Sequence, residues 1–182
     1  MKDISLHLLD ITCNSIEAGA LTISIEIWDD PVGGVTGFSV LDNGKGINQE
    51  ILQKITDPFY TTRNTRKVGM GLAILDQNTK QTGGSLTILS TPGTGTSVKA
   101  EFIRNHPDTL PQGDLAGVIT QLITGNTDID FSIVVKIAEK EFSISTVGIR
   151  NEIGDIPLNN LKIRKMILEL ISENMNELKK GI

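Results

Sequence analysis

Between residues 21 and 28 the sequence LTISIEIW alternates apolar and polar side chains. Ile23, Ile25 and Ile27 fall on one side and Thr22, Ser24 and Glu26 on the other, the pattern of a half-buried strand. VTGFSVLD, residues 35–42, predicts a second strand, with Phe38, Val40 and Asp42 pointing the same way, and DDPVGG between the two reads as a turn. Before them, segment 3–18 has Ile4, Leu8, Ile11 and Ser15 at helical spacing, with Asp3 able to cap its start and Gly19 placed to stop it. After the second strand, Asn48 can cap a short helix through about Ile55, with Ile47 stapled against Leu52. Segment 57–71 is polar and irregular, and a helix is expected from near Gly71 to Gly83. SLTILS and SVKAEF follow as strands around the turn TPGTGT. Helix, strand, strand, helix, helix, strand, strand implies a mixed sheet covered on one face by helices, an α/β (α+β) sandwich.

Composition shifts at RNHPDTLPQGD, where two prolines and polar residues mark a linker. The division expected is 1–103, a linker at 104–113, and a small α+β C-terminal region, 114–182, serving partner binding or dimerisation. That region reads as a helix near 114–124, a hairpin of DFSIVVKIAEK and EFSISTVGI, and a last helix from about Leu158 to Leu178. Along it Leu161, Leu168, Ile171, Met175 and Leu178 form a stripe, widened by Ile163, Ile167 and Leu170; core packing and a dimer or partner surface are its two uses.

The 182 residues are 38% hydrophobic, enough for a core, and carry a net charge of -5. That charge argues against duplex nucleic acid or an anionic membrane as the main partner. Cys13 is the single cysteine, so neither an intramolecular disulfide nor a CxxC zinc motif exists. No apolar run has membrane-spanning length, and the first ten residues do not form a signal peptide, so a cytoplasmic location is expected.

Three short stretches carry candidate chemistry. Asp10 and Asn14 lie one turn apart on one face of the first helix. An amide oxygen there can ligate Mg²⁺, and a carboxylate can orient or deprotonate an attacking hydroxyl; a solvated helix face is the alternative. DNGKGI, residues 42–47, puts an acid at a strand end before two glycines. Asp42 can accept from an exocyclic amine such as that of adenine while Gly44 and Gly46 let the backbone pass close to a ligand; a plain turn is the alternative. An EF-hand is excluded because Gly44 occupies the third ligand position. GMGLAI puts Gly69 and Gly71 before an apolar helix, where free amides and the dipole suit an anion; a flexible loop is the alternative. Walker and Rossmann fingerprints are absent.

Taken in order, these pieces resemble the GHKL superfamily, which comprises gyrase-type topoisomerases, heat-shock chaperones, histidine kinases and mismatch-repair ATPases. NSIEAGA with DNGKGI is similar to the mismatch-repair branch; DPFYTTR, VGMGLAI and GGSLTILSTPGTGTSVKAEF are more similar to the histidine-kinase catalytic domain. The resemblance covers the first 103 residues or so and implies a Bergerat-type fold binding ATP and Mg²⁺. It implies that Asn14 ligates the metal and that Asp42 holds the adenine amine, supported by Thr96 through water. Gly44 and Gly46 would shape the pocket, and Gly69, Gly71 and the Leu72 amide would hold phosphates. Asp10 falls where hydrolytic branches carry a glutamate, one methylene longer. Residues 57–68 would form a lid bringing Thr61, Thr62, Arg63, Arg66 and Lys67 toward the γ-phosphate. His7 is not expected to be a phosphoacceptor, nor His106 to be functional, and Cys13 reads as a small buried residue.

The function this implies is a stand-alone kinase module passing the γ-phosphate to a partner protein. The alternative is an ATP-dependent regulatory or assembly factor: PQGDLAG and GDIPLNN resemble ATP-binding proteins associated with hydrogenases, which implies a redox enzyme as its target. A hydrolytic ATPase is disfavoured by Asp10 and by the lack of a transducer domain.

Overall fold

The computed structural model describes residues 1–52 and 71–180. The apolar spacing at the start of the chain forms helix α1 (Ile4–Glu17), capped by the Asp3 carboxylate, which accepts from the Leu6 amide. Gly19 follows at φ 77, a left-handed turn that a glycine makes without strain. Strands β1 (Thr22–Asp30) and β2 (Val35–Asp42) form the expected hairpin. A four-residue helix α2 (Gln49–Leu52) begins at Asn48, whose side chain accepts from the Glu50 amide. Helix α3 (Gly71–Gln81) and strands β3 (Ser85–Thr91) and β4 (Gly95–Ile103) complete the first part. Beyond it lie α4 (Leu115–Gly125), β5 (Asp130–Ile137), β6 (Lys140–Ser145), α5 (Thr146–Ile153) and α6 (Leu161–Lys179).

All six strands form one mixed sheet in the order β3-β4-β2-β1-β5-β6, with β1 and β5 parallel and every other neighbour antiparallel. Ile23, Ile25, Ile27, Phe38, Val40, Val98, Ala100, Phe102, Phe131, Ile133 and Val135 alternate onto one buried face. There they join Leu8 and Ile11 of α1, Leu75 of α3, Ile119 and Leu122 of α4 and Ile167 and Ile171 of α6 in a continuous core. The opposite face carries Ser24, Leu41, Thr87, Leu89 and Lys99, all exposed. The mixed sheet with its helical layer is thus the architecture that the alternation implied.

Residues 104–113 are not a loose tether. The Pro111 and Gln112 carbonyls accept from the Ile4 and Ser5 amides at 2.9 and 3.0 Å, so the segment occupies the open start of α1. The segment after it then sends β5 back to β1.

Two element boundaries differ from the sequence reading. The strand expected over EFSISTVGI stops at Ser145, whose hydroxyl caps α5 by accepting from the Gly148 amide. Thr146 is fully buried and accepts from the Phe131 amide, which turns the chain out of the sheet. The last helix begins at Leu161, not Leu158, because Asn160 caps it. Its buried stripe is Ile163, Ile167, Ile171, Met175 and Leu178, whereas Leu161, Leu168 and Leu170 of the expected stripe are exposed. Spacing alone offered both sets, and only the first lies on one continuous face.

Candidate functional site

Asp42 occupies the last inward-facing position of β2, following Phe38 and Val40, and is buried with 6% of its surface exposed. A carboxylate in an apolar layer must be hydrogen-bonded. Its Oδ2 accepts from the Ser15 hydroxyl at 2.6 Å, and its Oδ1 accepts from the Gly44 amide at 2.8 Å and the Thr96 amide at 3.2 Å. A carboxylate has about four acceptor positions, so three donors hold its orientation and leave capacity for another. Thr96 was expected to support Asp42 through water. Its backbone amide contacts Asp42 directly, while its hydroxyl lies 2.9 Å from that of Ser90.

The DNGKGI loop is fixed by backbone contacts on both sides. Asn43 Oδ1 accepts from the Leu21 and Thr22 amides. Lys45 donates its amide to the Ala18 carbonyl at the end of α1, and its carbonyl accepts from the Gly93 amide at the β3–β4 tip. The Ile47 amide donates to Ser90 Oγ at 2.8 Å. A side chain at Gly46, where φ is 66, would put its Cβ 2.1 Å from the Thr91 carbonyl oxygen. At Gly44 a Cβ would lie 2.9 Å from the Ala18 Cβ and 3.1 Å from Asp42 Oδ1. Both glycines are therefore required by close approach beside the buried acid.

The other end of the site lies between α1 and α3. Asp10 and Asn14 are half-buried, one turn apart on α1. A Cβ on Gly71, the first residue of α3, would meet Asp10 Oδ2 at 1.7 Å, so the Asp10 carboxylate abuts the start of that helix. The first amides of α3, Leu72 among them, have no partner within the helix and lie at its positive end. α1 thus joins the two ends, touching Asp42 through Ser15 and the start of α3 through Asp10. Gly69, Thr62 and Arg63, with Thr61, Arg66 and Lys67 of the expected lid, lie outside the described residues.

His7 has no exposed surface, and its Nε2 lies 2.9 Å from the Asn78 side-chain amide on α3. Burial, and then the positive amino terminus, lower its pKa to about 4 against a weaker opposite pull from Asp3. A sequestered, neutral imidazole is no phosphoacceptor for a partner protein.

Two polar residues at the site were not among the sequence candidates. Ser15 falls in the apolar stripe Ile4, Leu8, Ile11, Ser15, and Ser90 ends the inward series Leu86, Ile88, Ser90. Each is a hydroxyl where the pattern calls for a hydrocarbon, a legible sign of a buried polar contact.

Comparison with known proteins agrees with this fold. Residues 2–106 match the family described as histidine kinase-, DNA gyrase B-, and HSP90-like ATPase. The non-motile and phage-resistance protein of Caulobacter vibrioides is 34% identical over 110 residues, which is 56% of this chain and 13% of that protein. The sensor kinase CckA of Brucella abortus is 31% identical over 123 residues, 67% of this chain and again 13% of the relative. The chain therefore spans only a small part of the length of these relatives. Among solved structures, the Aquifex aeolicus MutL ATPase domain complexed with ADP superposes with a TM-score of 0.55 at 15% identity, covering 93% of this chain and 70% of that one. This last likeness is one of fold. Among the described residues no helix is long and apolar enough to cross a membrane.

Proposed function

Because the chain belongs to the histidine kinase-, DNA gyrase B- and HSP90-like ATPase family, we propose that it binds Mg-ATP between α1, the DNGKGI loop and α3, and that it passes the γ-phosphate to a partner protein. Asp42 carries this reading. It is a buried acid, oriented by three donors, at the end of a strand beside a glycine that the close approach of Ala18 requires. Its remaining acceptor capacity suits the exocyclic amine of adenine, which guanine lacks at that position. The triphosphate then runs toward the start of α3, where the Gly69, Gly71 and Leu72 amides meet its charge.

Asn14 fits a hard cation on the face that Asp10 already directs at the start of α3, and its amide oxygen would hold Mg²⁺. Bound there, the metal supplies charge neutralisation on the phosphates. Asp10 orients the accepting group, a hydroxyl or imidazole of the partner. Thr62 and Arg63 would cover the phosphates from the lid. Resemblance to sensor kinases supports transfer to a protein.

A second reading, an ATP-dependent binding switch, has its own support. The pocket loop is hydrogen-bonded through Asn43 to Leu21, and the Leu21 carbonyl accepts from the Asp130 amide at the start of β5. The Asp130 carboxylate in turn holds Arg150 of α5. Nucleotide held against this loop thus has a hydrogen-bonded route to the C-terminal elements, which would serve as a partner or dimer surface.

Calorimetry with ATP and GTP, on wild type and Asp42→Asn, tests the pocket. Wild type should prefer ATP, and the variant should lose about tenfold in ATP affinity, the value of a hydrogen bond to a charged group. Equal affinities of wild type for the two nucleotides would remove the assignment of Asp42. Incubation with γ-labelled ATP and co-purifying proteins separates the two functions: label on a protein supports transfer, and label remaining in ATP supports the switch.

A further inference from the structure

We propose that His7 and Asn78 are a positioning pair, whose partly buried hydrogen bond sets the register of α1 against α3 and with it the spacing between the Asp10–Asn14 face and the start of α3. The inference rests on reading that hollow as the Mg-ATP site. His7, Asp10 and Asn14 stand at i, i+3 and i+7, so they form one stripe along α1; Gly71 and Asn78, seven apart, form one stripe along α3. The two stripes touch at two points. Asp10 abuts Gly71 and His7 meets Asn78 at 2.9 Å, the later residue of one helix against the earlier of the other, as in antiparallel neighbours.

Apolar packing between helices is non-directional. Leu8, Ile11 and Leu75 belong to the shared core, where contact alone fixes no direction between two polar groups. A hydrogen bond between an imidazole and a carboxamide tolerates much less. Its place here is costly. His7 is wholly buried, and among the described residues its Nδ1 has no hydrogen-bond partner. When Asn78 donates to Nε2, the proton on Nδ1 has no acceptor, an expense that leucine at the same position would avoid. The return is a fixed direction one turn from Asp10 and two turns from Asn14. Because Ser15 ties α1 to Asp42, an error of a fraction of an ångström in that register is taken up by α3 and falls on the metal and phosphate contacts, while Asp42 keeps its three donors at the adenine end.

The test compares two ligands, Mg-ATP by calorimetry and adenosine by NMR titration, on wild type, His7→Leu, His7→Gln and Asn78→Ala, with thermal melts of each. His7→Leu and Asn78→Ala should bind Mg-ATP about tenfold more weakly and adenosine within about twofold of wild type. His7→Gln, which keeps an amide facing Asn78, should recover most of the Mg-ATP affinity. A purely structural role predicts equal losses for both ligands that track the melting temperature; that result, or unchanged Mg-ATP binding, overturns the proposal. Asn78→Ala removes a half-buried side chain and carries the test should His7→Leu fail to fold. Wild type that binds adenosine and Mg-ATP equally well would instead remove the metal and phosphate end of the site, on which the pair depends.

Discussion

Burial of His7 should make this chain sensitive to acid, and replacing it with leucine should remove that part of the sensitivity. In the folded protein His7 stays neutral down to about pH 4, while its ordinary value, which the unfolded chain takes, is 6.5. Above pH 7 both states are neutral and the residue contributes no pH dependence. As pH falls through 6.5 the unfolded chain binds a proton that the folded one refuses, and the balance moves toward unfolding until the folded imidazole also protonates near pH 4. The depressed value thus makes acid destabilising, with the loss confined to the window between the two pKa values. At pH 5 the loss amounts to about 2 kcal/mol, and below pH 4 it levels off at about 3 kcal/mol. Urea unfolding followed by circular dichroism at pH 7 and pH 5 measures it. With a slope of about 2 kcal/mol per molar urea, the wild-type midpoint should drop about 1 M further than that of His7→Leu. Leucine is close to histidine in volume and carries no proton, so the remaining acid-sensitive groups affect both proteins alike and cancel in the difference. Parallel falls in the two midpoints would refute the reasoning, because they would mean that the folded chain admits the proton as readily as the unfolded one.

Other substitutions probe the loop and the phosphate end. Gly46→Ala combines a left-handed backbone with a Cβ 2.1 Å from the Thr91 carbonyl oxygen, and should cost about 3 kcal/mol in denaturant unfolding; a loss under half that would show the loop to be freer than its contacts imply. Ser90→Ala removes the acceptor for the Ile47 amide and a contact to Thr96, and should cost about 1–2 kcal/mol and speed hydrogen exchange at Ile47. Gly71→Ala forces the Asp10 carboxylate off the start of α3. Its thermal melt should change little while Mg-ATP affinity falls about tenfold, and unchanged binding would free that contact from any part in the site.

The hairpin of β1 and β2, the capped α1 and the two strands around TPGTGT were readable because local pattern and long-range packing agree there. Alternation alone also placed Asp42 on the same face as Phe38 and Val40, although a buried acid is the least expected occupant of that face. What could not be read depends on contacts between distant segments. The strand order is one such case: nothing in DFSIVVKI says that it lies parallel to β1. Thr146 is another, since its alternation with Phe142 and Ile144 continues the strand pattern, and only the capping contact of Ser145 ends it. At the site, the roles of Ser15 and Ser90 were missed because each sits inside a stripe that otherwise reads as core. In α6, nine apolar residues spread around more than half the helix, and burial chose among them by what lies beneath.

The parallel pairing of β1 with β5 also has a price during synthesis. Thr22 must wait for Asp130, so about a hundred residues leave the ribosome before the inner edge of β1 is covered. At 5–20 residues per second this is on the order of ten seconds, during which a strand with Ile23, Ile25 and Ile27 on one face presents unpaired amides and carbonyls. A gene fragment ending at residue 103 would make that interval permanent. Such a fragment should be isolated as aggregates or bound to chaperones, even though it would hold every residue assigned here to the nucleotide.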